Sequence, residues 1–133
     1  MSSRILSGAL IAFGAVFLLI YLLAVFWPSG WAWHAGSPLA NDYFPMIVAL
    51  YAVLGVFLIR AAQHPADHAS LIWFTVWSSV AHAAVMAVQA LRSPHSIGHL
   101  FGDVPALLLV AVVLGWGMAT LGRGVDDRVA TAL

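Results

Sequence analysis

The sequence predicts an all-α integral membrane protein, a four-helix bundle in antiparallel up-down-up-down order. Of its 133 residues, 63% are hydrophobic and 8% are charged, which is too little charge to cover the surface of a soluble domain of this size. Four apolar segments each approach the length of about 20 residues that a helix needs to cross a bilayer. Their apolar runs are continuous rather than alternating, which favours helices over a β-barrel.

The first predicted span, residues 5–27, contains no charged residue. Arg4 precedes it, as in a secretory signal peptide, but the apolar run is longer than the usual signal core of about 7–15 residues. We therefore expect a retained helix. The second span, residues 44–59, ends just before Arg60.

The third and fourth spans are residues 70–91 and 104–121. Asp103 and Pro105 are typical of the beginning of a helix, where an acidic cap and an early proline are both favoured. Residues 122–133 form a short polar tail that we expect to be loosely ordered. The whole chain, residues 1–133, then makes one membrane domain, and its short loops predict that successive helices are neighbours.

The arginines predict the orientation of the bundle. Arg4, Arg60, Arg123 and Arg128 fall on one side of the membrane in this topology, and Arg92 falls on the other. By the positive-inside rule both termini are cytoplasmic. We expect the membrane to be the cytoplasmic (inner) membrane of a bacterium.

Small residues recur every fourth position in the last two spans. Such rows let two helix backbones approach closely, which predicts that the third and fourth helices pack together. The rows are Ser79, Ala83 and Ala87 in the third span and Ala111, Gly115 and Ala119 in the fourth.

A stripe of polar and sulfur-containing side chains follows one face of the third span. At about 100° per residue its members share one side of the helix. Unsatisfied polar groups are costly in lipid, so the stripe should face other helices, a subunit interface or a water-filled cavity. Its members are Thr75, Ser79, His82, Met86 and Gln89.

His82 is the principal candidate for a ligand or proton site, because an ionisable residue near the bilayer midplane is a functional candidate by default. The competing interpretation is structural, a neutral imidazole that holds helices together by a hydrogen bond. Met86, one turn away, could add a thioether, and a His–Met pair suits haem iron or copper. Met86 is equally typical of ordinary packing.

A second group of polar residues lies between the last two spans. His95, His99 and Asp103 are spaced four residues apart, and two histidines with a carboxylate can bind zinc or another divalent metal. Pro94, together with nearby glycines, argues against one continuous helix here. The alternative is a pair of solvated histidines and a capping aspartate. By helix rise His82 lies about 15 Å deeper, so we do not expect one shared metal unless the loop folds into the bundle.

Several classes of function are disfavoured. The chain has no cysteine, which excludes disulfides and thiolate metal sites. It has no net charge and no basic face, which argues against nucleic-acid binding. We find no known catalytic motif such as HExxH or a phosphate-binding glycine loop.

The run LIWFTVWSSVAHAAVMAVQAL, with YAVLGVFLIRAA before it and GHLFGDVPALLL after it, resembles a family of small uncharacterised bacterial membrane proteins. The resemblance covers roughly the last three spans. It implies a four-helix topology and draws attention to His82, His99 and Asp103, but it implies no activity.

Three functions follow from these observations. The first is a non-enzymatic accessory or self-associating bundle in the lipid bilayer, a homo-oligomer or part of a larger membrane complex, with no cofactor. The second is a haem-, copper- or zinc-binding membrane protein centred on His82 or on the His95 group. The third is a small transporter or proton channel that uses His82 as a titratable group.

Overall fold

Four helices make up the fold, and in the described part of the chain there is no β-strand. The computed structural model describes residues 3–26, 42–92 and 94–131, and the side chains of these residues except 94–96 and 124–131. The helices are α1 (Ser3–Phe26), α2 (Tyr43–Ala61), α3 (Ala69–Arg92) and α4 (Asp103–Thr131). All four are long and apolar enough to cross a membrane, as predicted, which indicates an integral membrane protein.

The helix boundaries agree with the predicted spans to within three residues, except at the end of α4. This helix continues to Thr131, ten residues beyond the predicted span. Residues 122–131 contain no proline, and a helix satisfies its own backbone hydrogen bonds whether or not its side chains are apolar.

The segment between α3 and α4 is a 3-10 helix, Pro94–Leu100. As expected from Pro94 and the glycines, it does not continue either neighbouring α-helix. It packs back along α3 rather than projecting away from it. Its carboxyl end closes through hydrogen bonds from the amides of Phe101 and Gly102 to the carbonyl oxygen of Gly98, at 3.0 and 3.1 Å.

The bundle consists of two helical hairpins. α1 packs along α2, α3 packs along α4, and α1 also contacts α4. α2 and α3 touch only sparsely, so the expectation that all successive helices pack as neighbours is wrong at this seam. The connection between them is the 3-10 turn Pro65–His68.

The packing of α3 against α4 confirms the prediction from the small-residue rows. Ser79, Ala83 and Ala111 are buried, and a Cβ on Gly115 would lie 3.6 Å from Val76. Ala119, however, is exposed. The buried face of α4 follows the spacing Leu107, Val110, Ala111, Leu114 and Met118, which is the i, i+3, i+4 pattern of an ordinary packed helix.

The apolar core lies mainly in the half of the bundle that contains Arg60, which we call the Arg60 end, and extends through Phe17 and Val110 toward the other half. The opposite half, where α3 ends at Arg92 and α4 begins at Asp103, is the Asp103 end. All four helices contribute to the core: Leu6, Leu10 and Phe17 from α1, Leu58 and Ala62 near the end of α2, Ile72 and Val76 from α3, and Val110, Ala111, Leu114 and Met118 from α4. The polar side chains described below lie toward the Asp103 end.

Candidate functional site

Tyr51 and His82 form a hydrogen-bonded pair across the sparse seam between α2 and α3. The hydroxyl oxygen of Tyr51 lies 2.7 Å from Nδ1 of His82. Both side chains are half-buried. Because α2 and α3 otherwise touch so little, this hydrogen bond is a principal link between the two hairpins at this depth.

The ring of Tyr51 contacts two other rings. The buried ring of Phe17 on α1 meets it edge-on, with ring centroids 4.8 Å apart. The His82 ring is nearly parallel to it, with centroids 6.0 Å apart. Aromatic contacts of this kind restrict ring orientation, so the Tyr51 hydroxyl is presented to His82 from a fixed position.

His82 lies near the middle of α3, one to two residues past the midpoint of Ala69–Arg92. A helix of this length is about 36 Å long at 1.5 Å per residue, and the hydrocarbon core is about 30 Å thick. If α3 is centred in the bilayer, this helix-rise estimate places His82 within a few ångströms of the midplane.

A second pair is formed by His99 and Asp103. Nδ1 of His99, near the end of the Pro94–Leu100 segment, lies 2.5 Å from Oδ2 of Asp103, the first residue of α4. The His99 side chain is 5% exposed and that of Asp103 is 20% exposed. The expectation of solvated histidines in this loop is therefore wrong at His99, because the segment folds back onto α3 and buries this ring.

The two pairs belong to one cluster. The charge of Asp103 acts on both Tyr51 and His82, and His99 also acts on His82. We call Tyr51, His82, His99 and Asp103 the polar cluster. Its members come from α2, α3, the Pro94–Leu100 segment and α4, so it joins both hairpins toward the Asp103 end of the bundle.

The other members of the predicted α3 stripe lie in different environments. Thr75 and Ser79 are buried, and the Thr75 hydroxyl donates to the carbonyl oxygen of Leu71 in its own helix at 2.9 Å. Met86 is half-buried. Gln89 is exposed and lines a shallow groove on α3 together with Val85, Val88 and Arg92.

The predicted metal group is described only in part. The side chain of His95 lies outside the described residues, whereas His99 and Asp103 are paired with each other. Among the residues that the structure describes, no group of three or more histidine, cysteine, aspartate or glutamate side chains is arranged to hold a metal ion. The metal site at His95, His99 and Asp103 thus stays a prediction.

Tyr51 is the member of the cluster that the sequence analysis missed. It lies eight residues after the beginning of α2, within an apolar run that predicts only a membrane span. A signal for it was present, because a tyrosine hydroxyl deep in an apolar helix requires a hydrogen-bond partner. His82 is near the middle of its own span and is the natural partner at that depth.

Comparison with known proteins gives one match. The model of a family of unknown function, DUF6632, matches residues 2–132, nearly the whole chain. Neither the curated proteins nor the solved structures contain a significant match.

Proposed function

We propose that this chain, which belongs to the DUF6632 family of unknown function, is a non-enzymatic binding protein of the membrane, and that it binds a small lipophilic molecule at the polar cluster. The observation that carries the proposal is the Tyr51–His82 pair in the sparse seam between α2 and α3. A ligand within the bilayer can reach this seam laterally.

The location of the cluster supports a role beyond packing. The apolar core at the Arg60 end already joins all four helices, so the bundle does not need polar groups to be held together there. Polar side chains in a membrane span are costly and are typically retained for binding or transport. Two histidines, a tyrosine and an aspartate brought together from four segments fit that description.

The proposed setting is the cytoplasmic membrane of a bacterium, with both termini in the cytoplasm. The distribution of arginines supports this orientation. The Asp103 end would then face outward, and the polar cluster would lie in the outer half of the bilayer.

The alternative is the accessory or self-associating subunit of a homo-oligomer or larger membrane complex. Exposed Gln89 and Arg92 lie beside an apolar groove, and this surface favours the accessory-subunit alternative. Both residues, however, lie within one turn of the end of α3, where interfacial water can solvate them. His82 lies about 10 Å deeper than Gln89 by helix rise, beyond the reach of interfacial water.

The test is to purify the protein in a mild detergent, extract it with organic solvent and identify bound lipophilic molecules by mass spectrometry. We expect a stoichiometric ligand in wild type, and its loss in His82→Leu. The matched control is Ser78→Ala, because Ser78 is also a half-buried polar residue of α3 but its hydroxyl donates within its own helix, to the carbonyl oxygen of Thr75.

Two results would contradict the proposal. One is the absence of any bound small molecule from wild type. The other is a ligand retained equally by wild type and His82→Leu, which would place binding elsewhere. A co-purifying protein or a stable oligomer that is unchanged in His82→Leu would support the accessory subunit instead, and a haem absorbance band or stoichiometric metal would support a metal centre.

A further inference from the structure

We infer that the ligand is an uncharged lipophilic carbonyl compound, and that its carbonyl oxygen accepts a hydrogen bond from Nε2–H of His82. This inference rests on the proposed function and names the chemical class of the molecule that would occupy the site. It follows from the proton positions in the Tyr51–His82 pair and from the depth of the pair.

The Tyr51 hydroxyl fixes the tautomer of His82. A neutral imidazole has one N–H and one unprotonated nitrogen, and a tyrosine hydroxyl both donates and accepts. Within the described part of the chain, Nδ1 of His82 is the one hydrogen-bond partner of the Tyr51 hydroxyl. Either tautomer leaves one N–H or O–H hydrogen of the pair without an acceptor among the described residues, but a phenol O–H is a stronger donor than an imidazole N–H, and an unprotonated imidazole nitrogen is a stronger acceptor than a phenol oxygen. The Tyr51 O–H therefore donates to Nδ1, and the proton of the imidazole is on Nε2.

Among the described residues, the one hydrogen-bond partner of the His82 side chain is Tyr51, which bonds to Nδ1. Nε2–H is therefore a donor without an acceptor in the described part of the chain. The His82 ring is half-buried rather than enclosed, so a molecule from outside the bundle can reach this nitrogen. Near the bilayer midplane there is no bulk water to accept the hydrogen bond, and an unsatisfied N–H in hydrocarbon costs several kcal/mol. An acceptor on a ligand would remove that cost.

The surroundings select an uncharged acceptor. The Asp103 carboxylate acts electrostatically on this site, and His99, its ion-pair partner, acts in the opposite direction. The main cost of an anionic ligand is therefore the loss of its hydration in the hydrocarbon layer. A cation or metal ion needs a lone pair, and Nε2 carries a hydrogen in this tautomer. A carbonyl oxygen is a strong acceptor without charge, so it satisfies the donor at the lowest desolvation cost.

The depth of His82 in the bilayer indicates the kind of molecule that can reach it. Phospholipid head groups lie outside a hydrocarbon core about 30 Å thick, roughly 15 Å from its midplane. His82 is within a few ångströms of the midplane by helix rise. A carbonyl group that reaches it must therefore belong to a molecule that dissolves in the hydrocarbon layer, such as a ring or chain ketone with an alkyl tail.

The experiment uses the full chain in nanodiscs of dimyristoyl phosphatidylcholine, with 15N-labelled histidine. The probe is 2-decyl-1,4-benzoquinone, and decylbenzene is the matched molecule without carbonyl groups. We expect the quinone to shift the Nε2–H resonance of His82 saturably while its Nδ1 resonance still reports an unprotonated nitrogen. Decylbenzene should produce no such shift.

Variants distinguish the loss of the His82 hydrogen bond from the loss of the fold. We expect quinone binding to weaken about tenfold in His82→Leu, the effect of one lost hydrogen bond, and to be unchanged in Ser78→Ala. His82→Gln, whose amide can again donate near the Nε2 position, should recover part of the affinity. Recovery in this variant would show that the loss in His82→Leu is not simply misfolding.

The results distinguish the inference from the proposed function. Equal binding of decylbenzene and the quinone, or a protonated Nδ1 in the free protein, would overturn the inference. If a molecule without an acceptor oxygen co-purifies in a His82-dependent manner, the proposed function holds and the inference fails. If nothing co-purifies and the quinone leaves the His82 resonances unchanged, both fail.

Discussion

Gly14 on α1 and Gly55 on α2 meet backbone to backbone. A Cβ on Gly55 would lie 2.5 Å from the carbonyl oxygen of Gly14, and a Cβ on Gly14 would lie 2.7 Å from the carbonyl oxygen of Gly55. No side chain fits between the two helices at this point. Close contacts of this type let van der Waals packing operate along the crossing, which is a main source of helix association in lipid.

We predict that Gly55→Ala destabilises the protein by about 1–3 kcal/mol, the usual cost of overpacking. The neighbouring atoms are backbone atoms, including the amide nitrogen of Leu18 at 3.0 Å, and they cannot move aside without separating the helices. The measurement is the thermal or denaturant midpoint in detergent. Gly8→Ala is the control, because nothing lies within 4 Å of a Cβ there. Equal midpoints for the two variants would contradict the prediction.

Tyr51→Phe should allow His82 to adopt either tautomer. The phenyl ring keeps the contact with Phe17 but can no longer donate to Nδ1, so we expect 15N spectra of His82 to report a mixture of tautomers. The cost in stability should be small, about 0.6 kcal/mol, the average for a hydrogen bond between membrane helices. Tyr21→Phe is the control, since Tyr21 is 47% exposed on α1. Unchanged His82 spectra in Tyr51→Phe would show that the hydroxyl does not set the tautomer.

Asp103→Leu should loosen the Pro94–Leu100 segment. The carboxylate holds the buried His99 ring through a hydrogen bond with a charged partner, which is about twice as strong as a neutral one. We predict faster hydrogen exchange at the amides of Phe101 and Gly102, with unchanged exchange in α1 and α2. The control is Asp67→Leu, at an exposed aspartate of the other 3-10 turn. Protection at Phe101 that survives Asp103→Leu would rule out this anchoring role.

Thr75 and Ser79 should prove structural rather than ligand-binding. Thr75→Val removes a hydroxyl whose hydrogen bond stays within α3, so we expect quinone binding equal to that of wild type and a stability loss of no more than about 1 kcal/mol. Ser79→Leu places extra volume at the buried α3–α4 face and should cost about 1–3 kcal/mol. Thermal midpoints and the nanodisc titration measure both effects. Weakened quinone binding in Thr75→Val would show that the binding site extends along the α3 stripe to Thr75.

The number and extent of the helices could be predicted from the sequence because length and hydropathy decide whether a helix crosses a membrane. The pairing of α3 with α4 was also accessible, since rows such as Ser79, Ala83 and Ala111 repeat at helical spacing. The Gly14–Gly55 contact was not. Neither glycine has a small residue four positions away in its own span, and only the relative rotation and depth of α1 and α2 bring the two together.

The candidate site was predictable in its residues but not in its assembly. His82 and the His99–Asp103 spacing stand out in the sequence as polar exceptions. Their meeting depends on the Pro94–Leu100 segment packing back along α3, and residues such as Pro94 and Gly98 predict only that the chain turns there. Tyr51 was hidden for a different reason, since an amphipathic ring is compatible with both a lipid-facing position and a buried one.

The division of the bundle into two hairpins has a consequence for how the protein is made. Chains are synthesised from the N-terminus, so α1 and α2 can close over the Gly14–Gly55 contact before α3 exists. His82 follows Tyr51 by 31 residues in the sequence, which corresponds to about 2–6 s at the usual rates of translation. During that interval the Tyr51 hydroxyl lacks its imidazole partner. The Tyr51–His82 pair therefore forms only when the second hairpin docks on the first.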